Sequence, residues 1–258
     1  MACFPSARRM LLAAAFAAAG NAGATGLQVA PTSLSLAASQ NADGIWLSNT
    51  GDTALHAQVR VYAWTQEAAA DQLKPSHGLA ISPPMLELAP GARQLVRVIR
   101  VGAPPGGNEA AYRIVVDELP VDEPAKTAAI DTSPADTVSK GALKFVLRYS
   151  IPVFVAPGGD TATVPKLSAT LKRDGGKPTL EVGNSGSMHA QLGNLVFVDA
   201  SGKRSELVPG LLGYVLPGQT MRWPIEVPAA TFAQGGSLQS RINGEASERT
   251  LASVDPAR

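Results

Sequence analysis

Hydrophobic and polar residues alternate along Leu55–Trp64, LHAQVRVYAW: Leu55, Ala57, Val59, Val61 and Ala63 fall on one side, and His56, Gln58, Arg60, Tyr62 and Trp64 on the other. A period of two predicts a β-strand with one face fit for a core. Strands are likewise expected at Leu27–Leu36, Ile45–Asn49, Gln94–Val101 and Ala111–Leu119. Ile81–Val101, ISPPMLELAPGARQLVRVIRV, reads as a Pro-blocked strand, a Pro90-Gly91 turn and a second strand. In the second half the same reading gives Val164–Leu171, Thr179–Val182, Ala190–Val198, Leu211–Val215, Met221–Val227, Ser237–Ile242 and Arg249–Val254, set apart by turns such as Asn184-Ser185-Gly186 and Pro217-Gly218. Apolar segments recur every 8 to 12 residues or so, with almost no helical period. That rhythm predicts an all-β chain of two immunoglobulin-like sandwiches.

Two segments break it. Residues 120–139, rich in Pro, Asp, Thr and Ala, read as a long mobile loop. Gly141–Val155, GALKFVLRYSIPVFV, follows, with Leu143, Phe145, Leu147, Tyr149, Ile151 and Val153 on one face. Fully extended it would reach roughly 50 Å, more than one small sheet needs. It is either an ordinary core strand or a long edge whose unpaired N–H and C=O groups can take up a partner, and the neighbouring loop favours the edge. Ala156-Pro157-Gly158-Gly159-Asp160 is the expected hinge.

Residues 1–24 carry Arg8 and Arg9, an apolar run from Met10 to Ala19 and then Ala22-Gly23-Ala24. This is the order of a secretory signal peptide cleaved after Ala24, and the run is too short to span a bilayer. The only cysteine, Cys3, lies within it, so the mature protein is expected to be exported and free of disulfides. Without that segment 20 basic residues face 21 acidic ones. This balance speaks against a nucleic-acid partner, and no later apolar run is long enough to embed the protein in a membrane. The expected domains are 25–157 and 158–258.

Catalytic chemistry is not apparent. His56, His77 and His189 have no metal-ligand spacing. Gly183-Asn184-Ser185-Gly186 misses the nucleophile elbow and reads as a turn. Asp117 and Glu118, as strand neighbours, face opposite sides. No enzyme activity, cofactor or metal is expected. Two arginines remain, Arg113 in AAYRIVVDELP and Arg148 in KFVLRYSIP, on strands that should be neighbours. Near a cleft they could grip a carboxylate bidentately; otherwise they are solvent-facing strand residues. Pro152, which cannot donate to a ladder, favours an edge or a bulge.

In this order, VAPTSLSL, LSNTGDTALHAQVRVYAW, SPPMLELAPGARQLVRV, AAYRIVVDELP and IPVFVAP, then VGNSGSMHAQLGNLVFVD and VLPGQTMRWPI, resemble the periplasmic pilus-assembly chaperones of the chaperone–usher pathway. The resemblance covers essentially the whole mature chain and implies two immunoglobulin-like sandwiches in an L-shaped arrangement. It further implies that Leu143, Phe145, Leu147 and Tyr149 form a donor row filling the groove of a pilus or fimbrial subunit that lacks its last strand. The subunit would then pass to an outer-membrane usher, and the free protein could self-associate through the same strand. The family's two basic anchor positions fall here at Ser33 and Pro152. The nearest replacements as anchors of the subunit's C-terminal carboxylate are Arg113 and Arg148, a departure that suggests the archaic branch. Of the family's interdomain charge cluster Glu109 matches, while the other positions fall at Ala156 and Gly244. A secreted immunoglobulin-like adhesin or other structural component of a surface fibre is the alternative.

Overall fold

The computed structural model describes residues 26–120, 146–159, 164–172 and 177–256. The predicted leader, the segment 121–139, Leu143 and Phe145 lie outside them. The first half folds as β1 (Leu27–Ala30), β2 (Leu34–Leu36), β3 (Ala42–Asn49), β4 (Leu55–Glu67), β5 (Ala70–Pro75), β6 (Leu79–Ser82), β7 (Met85–Leu88), β8 (Arg93–Arg100), β9 (Ala110–Leu119) and β10 (Arg148–Val155). One sheet has the order β1-β3-β8-β6; the other has β2-β10-β9-β4-β5, with β7 also on β4. Inward rows from both, including Leu27, Leu34, Ile45, Leu47, Val59, Val96, Ile114 and Val153, make a single core.

Prolines decide where the chain crosses between these sheets. Leu27–Leu36 is two strands, not one: buried positions fall on odd numbers at Leu27 and Val29, then on even numbers at Leu34 and Leu36. The slip occurs at Pro31, where β1 leaves β3 and β2 joins β10. Pro83-Pro84 does the same later, ending β6 on β8 and starting β7 on β4. Neither Pro31 nor the Pro83-Pro84 pair can donate to a ladder, so pairing lapses and restarts on the opposite sheet.

The second half contains β11 (Leu167–Lys172), β12 (Thr179–Asn184), β13 (Ala190–Asp199), β14 (Arg204–Val215), β15 (Thr220–Pro224), β16 (Gly236–Ile242) and β17 (Arg249–Val254). Its sheets run β11-β12-β15 and β14-β13-β16-β17, around a separate core that includes Leu180, Leu192, Leu195, Phe197, Phe232 and Leu238.

The two sandwiches share one internal device. Asn49 is buried and donates through Nδ2 to the Thr53 and Leu88 carbonyls, while its Oδ1 accepts from the Gly51 amide. Asn184 repeats this with the Met188 and Val215 carbonyls and the Gly186 amide. Both sit at the head of an Asn-Thr/Ser-Gly turn, the side-chain amide replacing backbone partners that the turn removes.

Candidate functional site

Strand β10 is asymmetrically paired. It lies antiparallel to β9 over Arg148–Val155, but its other side meets β2 only at Val153–Val155, in parallel. Among the described residues, Arg148–Pro152 therefore has an open edge, which closes where β2 begins. Ile151, Val153 and Val155 are buried in the first core, and Leu147 and Tyr149 pack against its margin. Leu147 is held by a backbone pair with β9, the Glu118 amide donating to its carbonyl at 2.9 Å. The Tyr149 hydroxyl donates to the Leu27 carbonyl at 2.7 Å. Val146, one residue before Leu147, is 53% exposed.

The opposite face of the same strands carries the charges. Arg148 stands across from Asp117, and Pro152 across from Arg113. The two arginines thus share a face and lie four ladder steps apart, about 13 Å along the strands. They are in different circumstances. Arg148 donates through Nε to Asp117 Oδ1, and Arg60 Nη2 holds the other carboxylate oxygen at 2.5 Å. Burial pushes the Asp117 carboxyl up, but these two guanidinium bonds outweigh it and hold the group below its ordinary value. Arg113 makes no ion pair among the described residues. Its guanidinium lies 3.7 Å from the Trp64 ring centroid and 5.4 Å from that of Tyr214, and its Nη1 reaches toward the Ser150 carbonyl at 3.5 Å. Burial draws its pKa down, partly offset by Asp71 and Tyr214; a guanidinium nonetheless stays cationic at neutral pH.

Arg113 opens into a cleft of about 460 Å³ between the sandwiches. The first sandwich contributes Thr32, Asp71, Arg113, Ser150 and Pro152; the second contributes Leu211, Leu212, Tyr214, Met221 and Trp223. Pro152 and the neighbour of Ser33 thus line the same space as Arg113.

What holds the cleft together was largely invisible in the sequence. Trp64, an outward residue by alternation, is 2% exposed because the second sandwich covers it, and it packs with Phe154 and Leu216. Gln66 Oε1 accepts from the Leu216 amide at 2.9 Å and its Nε2 donates to the Tyr214 carbonyl at 2.9 Å. Glu109, the one residue of the interdomain cluster expected to match, accepts at Oε2 from the His189 backbone amide at 2.8 Å and lies 2.7 Å from Nδ1 of the same residue. The His189 ring stacks on Phe154 at 3.5 Å and 4°. His189 is the partner that Ala156 and Gly244 do not supply.

No curated protein matches the chain in sequence. Among solved structures it superposes on a chain of the CsuC–CsuE chaperone–tip adhesion subunit pre-assembly complex, from archaic chaperone–usher Csu pili of Acinetobacter baumannii. The TM-score is 0.65 at 23% identity, covering 90% of this chain and 99% of that one. The SafA pilin–SafB chaperone complex of Salmonella enterica gives 0.60 at 16%, over 88% and 96%. The Pseudomonas aeruginosa CupB2 chaperone gives 0.56 at 16%, over 88% and 99%. At these identities the likeness is one of fold. The sequence itself supplies more: residues 26–160, from the start of β1 to just past β10, match the model described as "Pili and flagellar-assembly chaperone, PapD N-terminal domain", and the chain belongs to that chaperone family.

Proposed function

We propose that the protein is a periplasmic chaperone of the archaic chaperone–usher branch. It caps pilus or fimbrial subunits by strand donation and hands them to an outer-membrane usher. The observation that carries this reading is the edge of β10 left open over Arg148–Pro152 among the described residues, which leads into a cleft holding Arg113, a cation without an ion-pair partner among those residues. A subunit lacking its last strand has an exposed groove and an unpaired edge, both aggregation hazards. The open edge offers it backbone pairing, and the row Leu143, Phe145 and Leu147, with Tyr149 at its base, offers side chains for the groove. At about 1.5–3 kcal/mol per large apolar side chain buried, three such plugs would supply a large part of the binding energy.

Arg113 is the principal anchor for the subunit's terminal carboxylate. Its guanidinium lies over the Trp64 ring at 3.7 Å and has no ion-pair partner among the described residues, which suits it to grip a carboxylate. Arg148, engaged by Asp117, supplies a second positive charge further along the same face. The first sandwich with its donor strand is assigned 25–157 and the second 158–258. The open edge also makes self-association of the free protein an expected property.

The test is co-purification of a C-terminally tagged protein from the host periplasm, in wild-type form and as Phe145→Asp and Leu147→Asp. A stoichiometric small β-rich protein should accompany the wild type and be lost in both variants while each stays folded. Variants that still protect subunits would end the donor assignment. A partnerless wild type, in cells making surface fibres, would favour a structural fibre component instead.

A further inference from the structure

The walls of the interdomain cleft differ in chemistry. The first sandwich presents polar and charged groups, with Arg113, Asp71, Thr32 and Ser150 foremost; the second presents Leu211, Leu212, Met221 and the rings of Tyr214 and Trp223, with Gln191 as its polar side chain, held by donation to the Tyr214 hydroxyl at 3.1 Å. Leu211 is 55% exposed, an apolar side chain left uncovered at the rim. A strand running along the open edge of β10 must stop where β2 occupies that edge, opposite Val153. Thr32, two residues before the start of β2, lines the cleft. A chain ending there after lying parallel to β10, as β2 does, puts its last residue inside the cleft. Its carboxylate is then beside Arg113, and a side chain pointing away from the first sandwich meets the apolar wall.

We propose that this cleft reads the identity of the client's last residue and not merely its carboxylate. Resting on the chaperone reading above, the inference assigns the second sandwich a specificity role: the Leu211–Tyr214 segment and Trp223 receive an apolar terminal side chain. The cleft volume of about 460 Å³ is of the size that holds small ligands, about 300–1,000 Å³. Asp71, whose Oδ1 is held by Gln66 Nε2 at 3.0 Å, sits in the same space as a fixed negative charge and disfavours an acidic terminal residue. Attraction for the carboxylate and the apolar side chain, joined to repulsion of a second negative charge, gives discrimination in both senses.

The probes are synthetic strand-forming peptides of alternating Val and Thr, ending in Leu, Phe, Asp or Lys as free acids, with a Leu-terminated amide for comparison. Binding to the purified protein is followed by calorimetry. The Leu and Phe acids should bind about tenfold or more tighter than the Asp acid, a difference of about 1.4 kcal/mol. Leu211→Ser, at an exposed position that the fold does not need, should erase most of that preference yet keep the preference for acid over amide. Equal binding of the four acids, with the amide weaker, would overturn this inference and leave the carboxylate anchor standing. An amide as tight as its acid would remove the anchor reading. Failure of every peptide to bind would overturn both.

Discussion

Replacing Gln66 with Leu removes one side-chain amide and keeps almost the same volume, so the expected damage is confined to the join between the sandwiches. Gln66 is 2% exposed. Its Oε1 is the acceptor for the Leu216 amide in a buried bond, and its Nε2 serves the Tyr214 carbonyl in a partly buried one. In Gln66→Leu both backbone groups lose their partners. An orphaned buried donor costs about 1–3 kcal/mol, and a carbonyl that water can partly reach lies at the low end of that range. The sum is about 2–4 kcal/mol. For a chain of this size, each kcal/mol lowers the melting temperature by about 2–4 °C, so a drop of about 5–15 °C is expected. Neither core is touched, so the β-sheet circular dichroism should persist at low temperature. Thermal unfolding by calorimetry should broaden or split as the sandwiches uncouple. Hydrogen exchange reports the same event locally, because the Leu216 amide should lose protection by tenfold or more. A single transition at the wild-type temperature, with Leu216 protected as before, would refute the view that this side chain helps couple the halves.

Two further predictions come from the polar groups. Asp117 titrates below its usual value in the folded state because Arg60 and Arg148 hold the carboxylate. A lowered folded pKa gives stability that is complete above the unfolded value near 3.9 and is lost as pH falls through the folded value. Asp117→Asn should therefore cost about 1 kcal/mol near neutrality, modest because both arginines are partly exposed. The gap to wild type, followed by urea unfolding, should close as pH is lowered below about 4; a gap constant with pH would contradict the pairing. Asn49→Ala and Asn184→Ala should each cost about 2–4 kcal/mol, since each strips several partly or fully buried backbone partners. Fluorescence of Trp46 and Trp64 reports the first loss and that of Trp223 the second. If the two costs differ by more than about 2 kcal/mol, the turns are alike in shape but not in weight.

The strand pattern was legible because alternation is a local property. β4, β9, β13 and β17 lie close to where the period of two put them. The β1–β2 crossover was also written in the chain, as the slip from odd to even core positions around Pro31, although one continuous strand was expected. β5 was missed because its turn is made by Ala68 and Ala69, both at positive φ, where Gly or Asn would have flagged it. The front of β14, Arg204–Gly210, has only the adjacent pair Leu207 and Val208 as apolar residues, with Pro209-Gly210 directly after them, and pairs through bulges opposite Gly193 and Leu195, so it showed no alternation. At the site, the sequence placed Arg113 and Arg148 on adjacent strands but could not separate their fates. Asp117 lies 31 residues from Arg148 and binds it, whereas Trp64 and Tyr214 arrive from different sandwiches to cradle Arg113. The Glu109–His189 contact spans 80 residues and is a product of docking, which no window along the chain can contain.

The divided ownership of the cleft also sets an order of events. One wall is built from residues before Val155 and the other from Gln191 onward, so a chain growing or translocating from its N-terminus completes the wall holding Arg113 first and the largely apolar wall last. Until the second sandwich has closed its core and Gln66 has caught Leu216, the open edge of β10 is present without the completed cleft beside it. On the proposed function, competence to seat a client is thus the final property acquired, and a copy lacking the second sandwich is expected to fail in it even with every residue of β10 intact.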